Sequence, residues 1–219
     1  MQRPPMRHGR ASPIPPGRTV LIFARAPSLG RVKTRLAAEL GPAAALAIYR
    51  SLGLRTVTAA RGVPEANVVV YYTPARARAA VAAWLGRDLE LRPQRPGSLG
   101  RRMAAAVTDA VRAGAREVVV IGTDCPELDS ATIARGFEAL ATCDVVLGPA
   151  HDGGYYLVGL RAPHPEIFEN IPWSSPDTLR ATLGAAARAG LHVALLEQRR
   201  DVDTAADWRH WTAVHPEVE

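Results

Sequence analysis

Short apolar runs alternate with longer amphipathic stretches along most of the chain. Residues 19–24 (TVLIFA) are apolar throughout, whereas residues 42–60 repeat apolar positions at helical spacing. These two patterns predict a buried strand followed by a helix. The alternation continues with predicted strands at 66–73, 117–124, 143–149, 155–160 and 191–197, and predicted helices at 74–86, 98–114, 129–141 and 175–190.

Uniformly apolar strands separated by helices are typical of a mainly parallel sheet that is covered on both faces. We therefore predict a single-domain, Rossmann-like, three-layer α/β/α fold over residues 19–219. Residues 1–18 contain five prolines and four arginines but no acidic residue, and this composition predicts a disordered basic tail. Ligands of such folds bind beyond the carboxyl ends of the strands, so the functional residues are expected there.

Composition narrows the classes of function. The 219 residues are 47% hydrophobic, which is enough for a sizeable core. The formal charge is +6, but the four arginines of the predicted tail account for much of it and leave +2 for the remainder. Basic and acidic residues are interspersed there, which argues against nucleic-acid binding. With no apolar stretch long enough for a membrane span or secretory signal, we expect a cytoplasmic protein without membrane partners.

The loop after the first predicted strand has the residues of a phosphate-binding segment. Of the 27 basic residues, Lys33 is the one lysine, which favours a site that needs a compact ammonium group. Gly30 permits close approach of the backbone, and Thr34 adds a hydroxyl. Arg25 and Arg35 supply further positive charge for a nucleotide's phosphates. The segment is neither a Walker A loop nor a Gly-x-Gly-x-x-Gly motif, and a solvated basic helix start remains the alternative.

Two aspartates are candidate metal ligands. Asp124 follows a central apolar strand, where Mg²⁺ is held by one or two carboxylates together with phosphate oxygens and water. Its alternative role is a helix cap, for which Asp129 is better placed. Asp203 is a candidate second ligand, because it lies just outside a predicted capping box formed by Thr204 and Asp207.

A second loop leads into the predicted helix at 98–114. Gln94 precedes it and has the paired donor and acceptor needed to recognise a base edge. Gly97, Leu99 and Gly100 complete this candidate nucleotide-binding segment. An ordinary helix start capped by Ser98 explains the same pattern.

The last candidate region joins two apolar strands near the end of the sheet. We predict a substrate-binding shelf there, flanked by an aromatic platform. A hairpin turn and an aromatic residue of the core are the respective alternatives. The candidate substrate-binding residues are Asp152, Gly153, Gly154, Tyr155, Trp173 and Ser174.

Taken together, these segments resemble the DUF2064 family, also labelled radical-SAM/selenodomain-associated transferase 1 or arsenosugar-biosynthesis glycosyltransferase. The resemblance runs in order from about residue 19 to residue 211. It implies a glycosyltransferase-A type fold, similar to molybdenum-cofactor guanylyltransferases and phospholactate guanylyltransferases. In that wider group the first loop holds phosphates, and the aspartate corresponding to Asp124 binds the metal. The matching segments are 30–35, 97–103, 122–126, 152–156 and 201–204.

One departure from the wider group bears on the chemistry. Sugar transferases of this fold usually have a full Asp-x-Asp, whereas residues 123–126 contain one carboxylate. Nucleotidyltransferases of the fold commonly take a second carboxylate from later in the chain, here Asp203. This favours a Mg²⁺-dependent (or Mn²⁺-dependent) nucleotidyltransferase with Lys33 and Asp124 as catalytic residues. Its expected partners are a nucleotide donor and a small-molecule acceptor that bears a phosphate or phosphonate. A glycosyltransferase and a non-catalytic nucleotide-binding module remain open.

Overall fold

The computed structural model describes residues 17–216; residues 1–16 and 217–219 lie outside the described part. One sheet of seven strands forms the centre of this part. The strands are β1 Arg18–Arg25, β2 Ala66–Thr73, β3 Glu90–Pro93, β4 Glu117–Ile121, β5 Val145–Pro149, β6 Tyr155–Leu160 and β7 Val193–Leu195.

Seven α-helices surround the sheet within residues 17–216. They are α1 Thr34–Leu40, α2 Pro42–Arg61, α3 Arg78–Leu85, α4 Leu99–Arg112, α5 Ser130–Ala139, α6 Thr178–Arg188 and α7 Ala205–Val214. Two short 3-10 helices, Ala75–Ala77 and Pro165–Phe168, complete the connections.

The strand order is β3-β2-β1-β4-β6-β5-β7. Neighbouring strands are parallel except at β6, which runs antiparallel to both β4 and β5. The prediction of a mainly parallel sheet is therefore confirmed. Because β1, β2 and β4 are parallel neighbours, the loops that follow them open at the same edge.

Both faces of the sheet are buried, which explains the apolar strands. In β1, Ile22 packs into the core beneath α2, α3 and α5, whereas the adjacent Leu21 packs on the opposite face against α4 and α6. The three-layer prediction is thus confirmed. A third cluster, which includes Leu36, Leu52 and Trp211, holds α7 against α1 and α2.

The first strand begins slightly earlier than the sequence predicted. Arg18 was assigned to the tail, but it pairs with Glu117 and with Ala66 as the first residue of β1. Its Nε lies 3.1 Å from Glu117 Oε2, and the Gly17 carbonyl accepts a hydrogen bond from Arg116 N. Gly17 and Arg18 are therefore part of the fold, and the remaining sixteen residues of the expected tail lie outside the described residues.

None of the helices described between residues 17 and 216 is long and apolar enough to cross a membrane.

Candidate active site at the carboxyl end of the sheet

A cavity of about 480 Å³ lies where the loops after β1, β2 and β4 converge. Nine of the predicted site residues line it, which places the phosphate loop, the metal ligands and part of the second loop around one space. They are Arg25, Lys33, Thr34, Arg35, Gln94, Leu99, Asp124, Ser174 and Asp203.

Three charged side chains meet at this cavity. The Lys33 ammonium Nζ lies 2.6 Å from Asp124 Oδ1 and 2.7 Å from Asp203 Oδ1. The lysine side chain is 5% exposed, whereas the side chains of Asp124 and Asp203 are 43% and 41% exposed. A buried cation thus holds two carboxylates whose outer sides still face solvent.

The segment containing Asp203 is anchored to the loop of Asp124 by the backbone. Val202 N donates a hydrogen bond of 2.8 Å to the Asp124 carbonyl oxygen. On its other side, Asp207 Oδ2 accepts from the backbone N–H groups of Asp203 and Thr204, and Thr204 Oγ1 accepts from Asp207 N. The predicted capping box is confirmed, and it fixes the residue that precedes α7.

Lys33 occupies an unusual backbone conformation. Its φ of 47° and ψ of 49° lie in the left-handed region, directly before the first residue of α1. Burial alone would lower the pKa of Lys33, but Asp124 and Asp203 outweigh it through charge and hydrogen bonding and raise the pKa above its ordinary value. The side chain is therefore a permanent cation in this state.

Tyr49 braces the end of β1, a role that no sequence pattern indicated. Its hydroxyl accepts from Arg25 N at 3.0 Å and donates to the Arg25 carbonyl at 2.9 Å. Thr123 Oγ1 donates to the same hydroxyl at 3.4 Å. Burial raises the pKa of Tyr49, so the hydroxyl keeps its proton and joins the first loop to the Asp124 loop.

Asp201 is a third carboxyl group that the sequence reasoning left unassigned. Val202 is 1% exposed in the third apolar cluster, and the alternation of an extended segment places Asp201 and Asp203 away from it. Burial, and after it the neighbouring Asp124, Asp152 and Asp203, raise the pKa of Asp201 to about 8 against the opposing effect of Lys33. Its buried Oδ1 has no hydrogen-bond partner among the described residues. The Asp-Val-Asp alternation of residues 201–203 was the sequence pattern that could have indicated Asp201 as a site residue.

Gln94 lies in the cavity wall with its amide already engaged. Its Nε2 donates to the Tyr71 carbonyl at 2.9 Å and to the Ala24 carbonyl at 3.4 Å, and its Oε1 accepts from Arg102 at 3.3 Å. The side chain ties together β1, β2 and α4. Reading a base edge would require at least one of these bonds to be exchanged.

Three predicted site residues pack against each other instead of lining the cavity. A Cβ added to Gly100 would lie 2.3 Å from the Phe168 carbonyl and 2.9 Å from the Trp173 ring. Trp173 meets Tyr155 edge-on, with ring centroids 6.1 Å apart, and both rings pack against the core beneath α4 and α6. Close packing accounts for Gly100, Tyr155 and Trp173 without a ligand, and their assignment to the nucleotide and the substrate stays a prediction.

The predicted shelf is the hairpin between β5 and β6. Asp152 Oδ1 accepts from Gly154 N at 2.8 Å, and Gly153 has a φ of 86° with its Cα against the backbone of Pro176. The hairpin alternative is confirmed for this segment, which does not line the cavity. Ser174, with a φ of 61°, does line it.

Gly30 and Gly97 also lie outside the cavity lining. Both have positive φ, 68° and 124°, within loops that lead into α1 and α4. Ser98 caps α4 by accepting from Arg101 N, so this alternative is confirmed as well.

Among residues 17–216 there is no group of three or more His, Cys, Asp or Glu side chains arranged to hold a metal. The two carboxylates at the cavity still fit a hard divalent cation. Mg²⁺ in particular needs only one or two of them when phosphate oxygens and water complete its octahedron. That the Oδ1 atoms of Asp124 and Asp203 already converge on one cation, Lys33 Nζ, supports the fit.

The sequence profile of the family described as "Uncharacterized protein conserved in bacteria (DUF2064)" matches residues 56–175. This is more than half of the chain. The chain belongs to the DUF2064 family. The resemblance inferred from the motifs is thereby confirmed.

Curated relatives name a reaction. The phosphoenolpyruvate guanylyltransferase of Nocardia farcinica (strain IFM 10152) is 31% identical over 193 residues, with 82% of this chain and 79% of the relative covered. The protein of the same name from Chloroflexus aggregans (strain MD-66 / DSM 9485) is 29% identical over 171 residues, with 75% and 81% covered. The DUF2064 chain is accordingly a transferase of the nucleotidyltransferase type.

Solved structures agree on the fold. A protein of Desulfovibrio desulfuricans G20, provisionally named a nucleotide-diphospho-sugar transferase, is 31% identical with a TM-score of 0.86, and 92% of this chain and 88% of that chain are covered. Rv0371c from Mycobacterium tuberculosis H37Rv, solved as a complex with manganese, is 17% identical with a TM-score of 0.51 over 89% and 96% of the two chains. The glycosyltransferase-A type fold expected from the sequence is confirmed.

Proposed function

We propose that this DUF2064 protein transfers a nucleotidyl group from a nucleoside triphosphate to a small molecule that bears a phosphate. The observation that supports it most is the convergence of Lys33, Asp124 and Asp203 on one cavity at the carboxyl end of the sheet. The names of the two curated relatives support guanylyl as the group transferred and a phosphorylated carboxylic acid as the acceptor.

The reaction is a single displacement at phosphorus. An oxygen of the acceptor's phosphate attacks the α-phosphorus of the triphosphate and forms a new P–O–P linkage. The bond between the α-phosphorus and the bridging oxygen to the β-phosphorus breaks, and pyrophosphate leaves with that oxygen. No covalent intermediate with the protein is needed, so catalysis consists of positioning and charge neutralisation.

Asp124 and Asp203 would hold a divalent cation, Mg²⁺ or Mn²⁺, which when bound neutralises charge on the phosphates. The Lys33 ammonium is the catalytic cation of the chain itself. Arg25 and Arg35, both exposed at the cavity wall, bind the outer phosphate oxygens. This division of charge accounts for a site that gathers three basic side chains around two carboxylates.

The remaining walls would orient the two substrates. Thr34, Leu99 and Ser174 line the cavity beside the charged groups and surround the nucleotide. Gln94 keeps the ends of β1 and β2 in register through its two carbonyl contacts. Asp152, Gly153 and Gly154 form the hairpin from whose side we expect the acceptor to approach, since the charge of Asp152 acts on Asp201.

Glycosyl transfer is the second candidate, because the Desulfovibrio desulfuricans protein is provisionally named for nucleotide-sugar chemistry. In that reaction the same cation site would hold the diphosphate leaving group. The single carboxylate in the turn at 123–126 favours nucleotidyl transfer instead.

The test is a two-stage panel on the full chain. Thermal unfolding with Mg²⁺ is measured against nucleoside triphosphates and nucleotide-sugars, where a ligand at about 100 times its Kd adds roughly 2.7 kcal/mol of stability. Triphosphates that shift the curve are then incubated with phosphoenolpyruvate and other phosphorylated acids, and pyrophosphate release is assayed. We expect GTP to shift the curve and to release pyrophosphate only when an acceptor is present.

Each alternative has its own signature in the same panel. A shift with nucleotide-sugars but not with triphosphates would replace the proposal with glycosyl transfer. Binding of a triphosphate without pyrophosphate release, across the whole acceptor panel, would contradict the proposed nucleotidyl transfer.

A further inference from the structure

Lys33 occupies the position between the two candidate metal ligands. Its Nζ lies within 2.7 Å of the Oδ1 atoms of both Asp124 and Asp203, and its side chain is almost entirely buried. We propose that Lys33 is a built-in substitute for the divalent cation. It is exchanged for the metal when a nucleotide arrives, so that metal alone does not load the site. This inference rests on the proposed function.

A metal that binds the Oδ1 atoms of Asp124 and Asp203 competes with Lys33 for them. A Mg²⁺ ion bound to an Oδ1 atom lies about 2.0–2.1 Å from it, and Nζ lies 2.6–2.7 Å from the same atoms. The two cations would therefore be at most about 4.8 Å apart. At that separation, in a partly buried site, the repulsion between a divalent ion and an ammonium is strong.

The triphosphate resolves this conflict. Its oxygens give the lysine a new anionic partner and at the same time supply ligands that complete the metal's coordination. The loop before Lys33 is suited to release the side chain, because residues 28–31 are exposed and the lysine itself has no side-chain cap at α1. Metal and nucleotide thus bind cooperatively, and neither carboxylate is left without a positive partner at any stage.

The first experiment measures Mn²⁺ binding by calorimetry in the absence of nucleotide. Lys33→Met keeps the length of the side chain but removes the charge, so both carboxylates become available. We expect Lys33→Met to bind Mn²⁺ at least tenfold more tightly than the wild type, and the double variant with Asp124→Asn to lose this gain. Arg116→Met, which removes an exposed charge at the opposite end of the sheet, should match the wild type.

The second experiment uses the wild type, so it does not depend on how the variant folds. Because Lys33 is the one lysine of the chain, labelling lysine with ¹³C at Cε gives a single protein signal by NMR. We expect the signal to stay in place with Mg²⁺ alone and to shift when α,β-methylene GTP and Mg²⁺ are added together. A shift with Mg²⁺ alone, or no shift when calorimetry shows the analogue and metal bound, overturns the proposal.

The outcomes separate this inference from the function on which it rests. If the wild type binds Mn²⁺ together with the analogue but Lys33→Met is no tighter for Mn²⁺ alone, the exchange is wrong and the proposed function stands. If neither protein binds Mn²⁺ with or without the analogue, the metal role in the proposed function falls, and the exchange falls with it.

Discussion

The sheet has a cavity at each end, and the two differ in an instructive way. The cavity at the amino end is the larger, about 800 Å³ against about 480 Å³. Its ion pair, Arg18–Glu117, joins the first residues of two neighbouring strands and is 38% and 23% exposed. At the carboxyl end, Lys33 is 5% exposed and contacts Asp203 across 170 residues of sequence.

Volume therefore does not distinguish the candidate active site, whereas buried and convergent charge does. A partly exposed ion pair such as Arg18–Glu117 contributes at most about 1 kcal/mol to stability. Such a pair forms wherever the first residues of two adjacent strands carry opposite charges. Burying an ammonium group between two carboxylates carries a desolvation penalty. Such arrangements are concentrated at functional sites, where the charges take part in binding or catalysis. The same contrast predicts how substitutions at the two ends will differ.

The largest expected difference is in activity. Asp124→Asn removes a negative charge from the cavity while keeping its shape, and we expect turnover to fall by roughly 10²-fold or more, the usual result of losing a group that stabilises transition-state charge. Glu117→Gln makes the matched change at the amino end and should leave turnover within about threefold. Both are measured as steady-state pyrophosphate release. Equal losses in the two variants would erase the distinction between the ends.

A smaller difference is expected between the losses of protein stability when alanine replaces two glycines that have positive φ. Gly153, in the hairpin, has a φ of 86°, and an added Cβ would lie 2.1 Å from the Pro176 carbonyl. Gly190, after α6, has a φ of 70° and open space around it. Alanine at Gly190 costs about 1–2 kcal/mol from backbone strain, and at Gly153 we expect about 2–5 kcal/mol because overpacking adds to it. Denaturant unfolding measures the stability of both variants. Similar losses of stability would mean that the backbone at Pro176 moves to accommodate the added Cβ.

The smallest expected effect concerns pH and Asp201. Its pKa is raised to about 8 in the folded protein by burial first and by neighbouring carboxylates second, so the folded state holds a proton that the unfolded chain releases near pH 4. Stability should therefore fall as pH rises from about 4 to 8.

Asp201→Asn removes this dependence. In metal-free buffer we expect the variant to be more stable than the wild type above pH 8, with a higher Tm, and to equal it near pH 4. Thermal unfolding across this pH range is the measurement. A difference that does not change with pH would show that Asp201 titrates normally.

Much of the fold was predictable because the inner strands of the sheet are buried on both faces. Residues 66–73 and 155–160 were predicted with the bounds that the structure has. The strand β3 was missed, since Glu90 and Arg92 give it the polarity of a loop; they pair with each other at the edge of the sheet. Hydrophobic patterns in a sequence reflect burial. An edge strand of four residues buries too few apolar side chains to produce such a pattern.

The candidate site residues that could be predicted were charged residues of a rare type or charged residues without a structural role of their own. Lys33 stood out among arginines, and Asp203 stood just outside a capping box. The roles of Tyr155 and Trp173 could not be decided from the sequence, because an aromatic residue beside a polar loop has the same pattern whether it faces a ligand or the core. Tyr49 had no signal, because its position on α2 is that of an ordinary buried helix residue.

The contact between Lys33 and Asp203 also has a consequence for synthesis on the ribosome. The seventh strand ends at Leu195, so every strand of the described sheet has been translated before Asp203 is. A nascent chain can therefore complete its sheet while the second carboxylate of the site is still missing. On the proposed function, the site would lack one of its two carboxylates until Asp203 has emerged, and α7, which begins two residues later, would dock only after that.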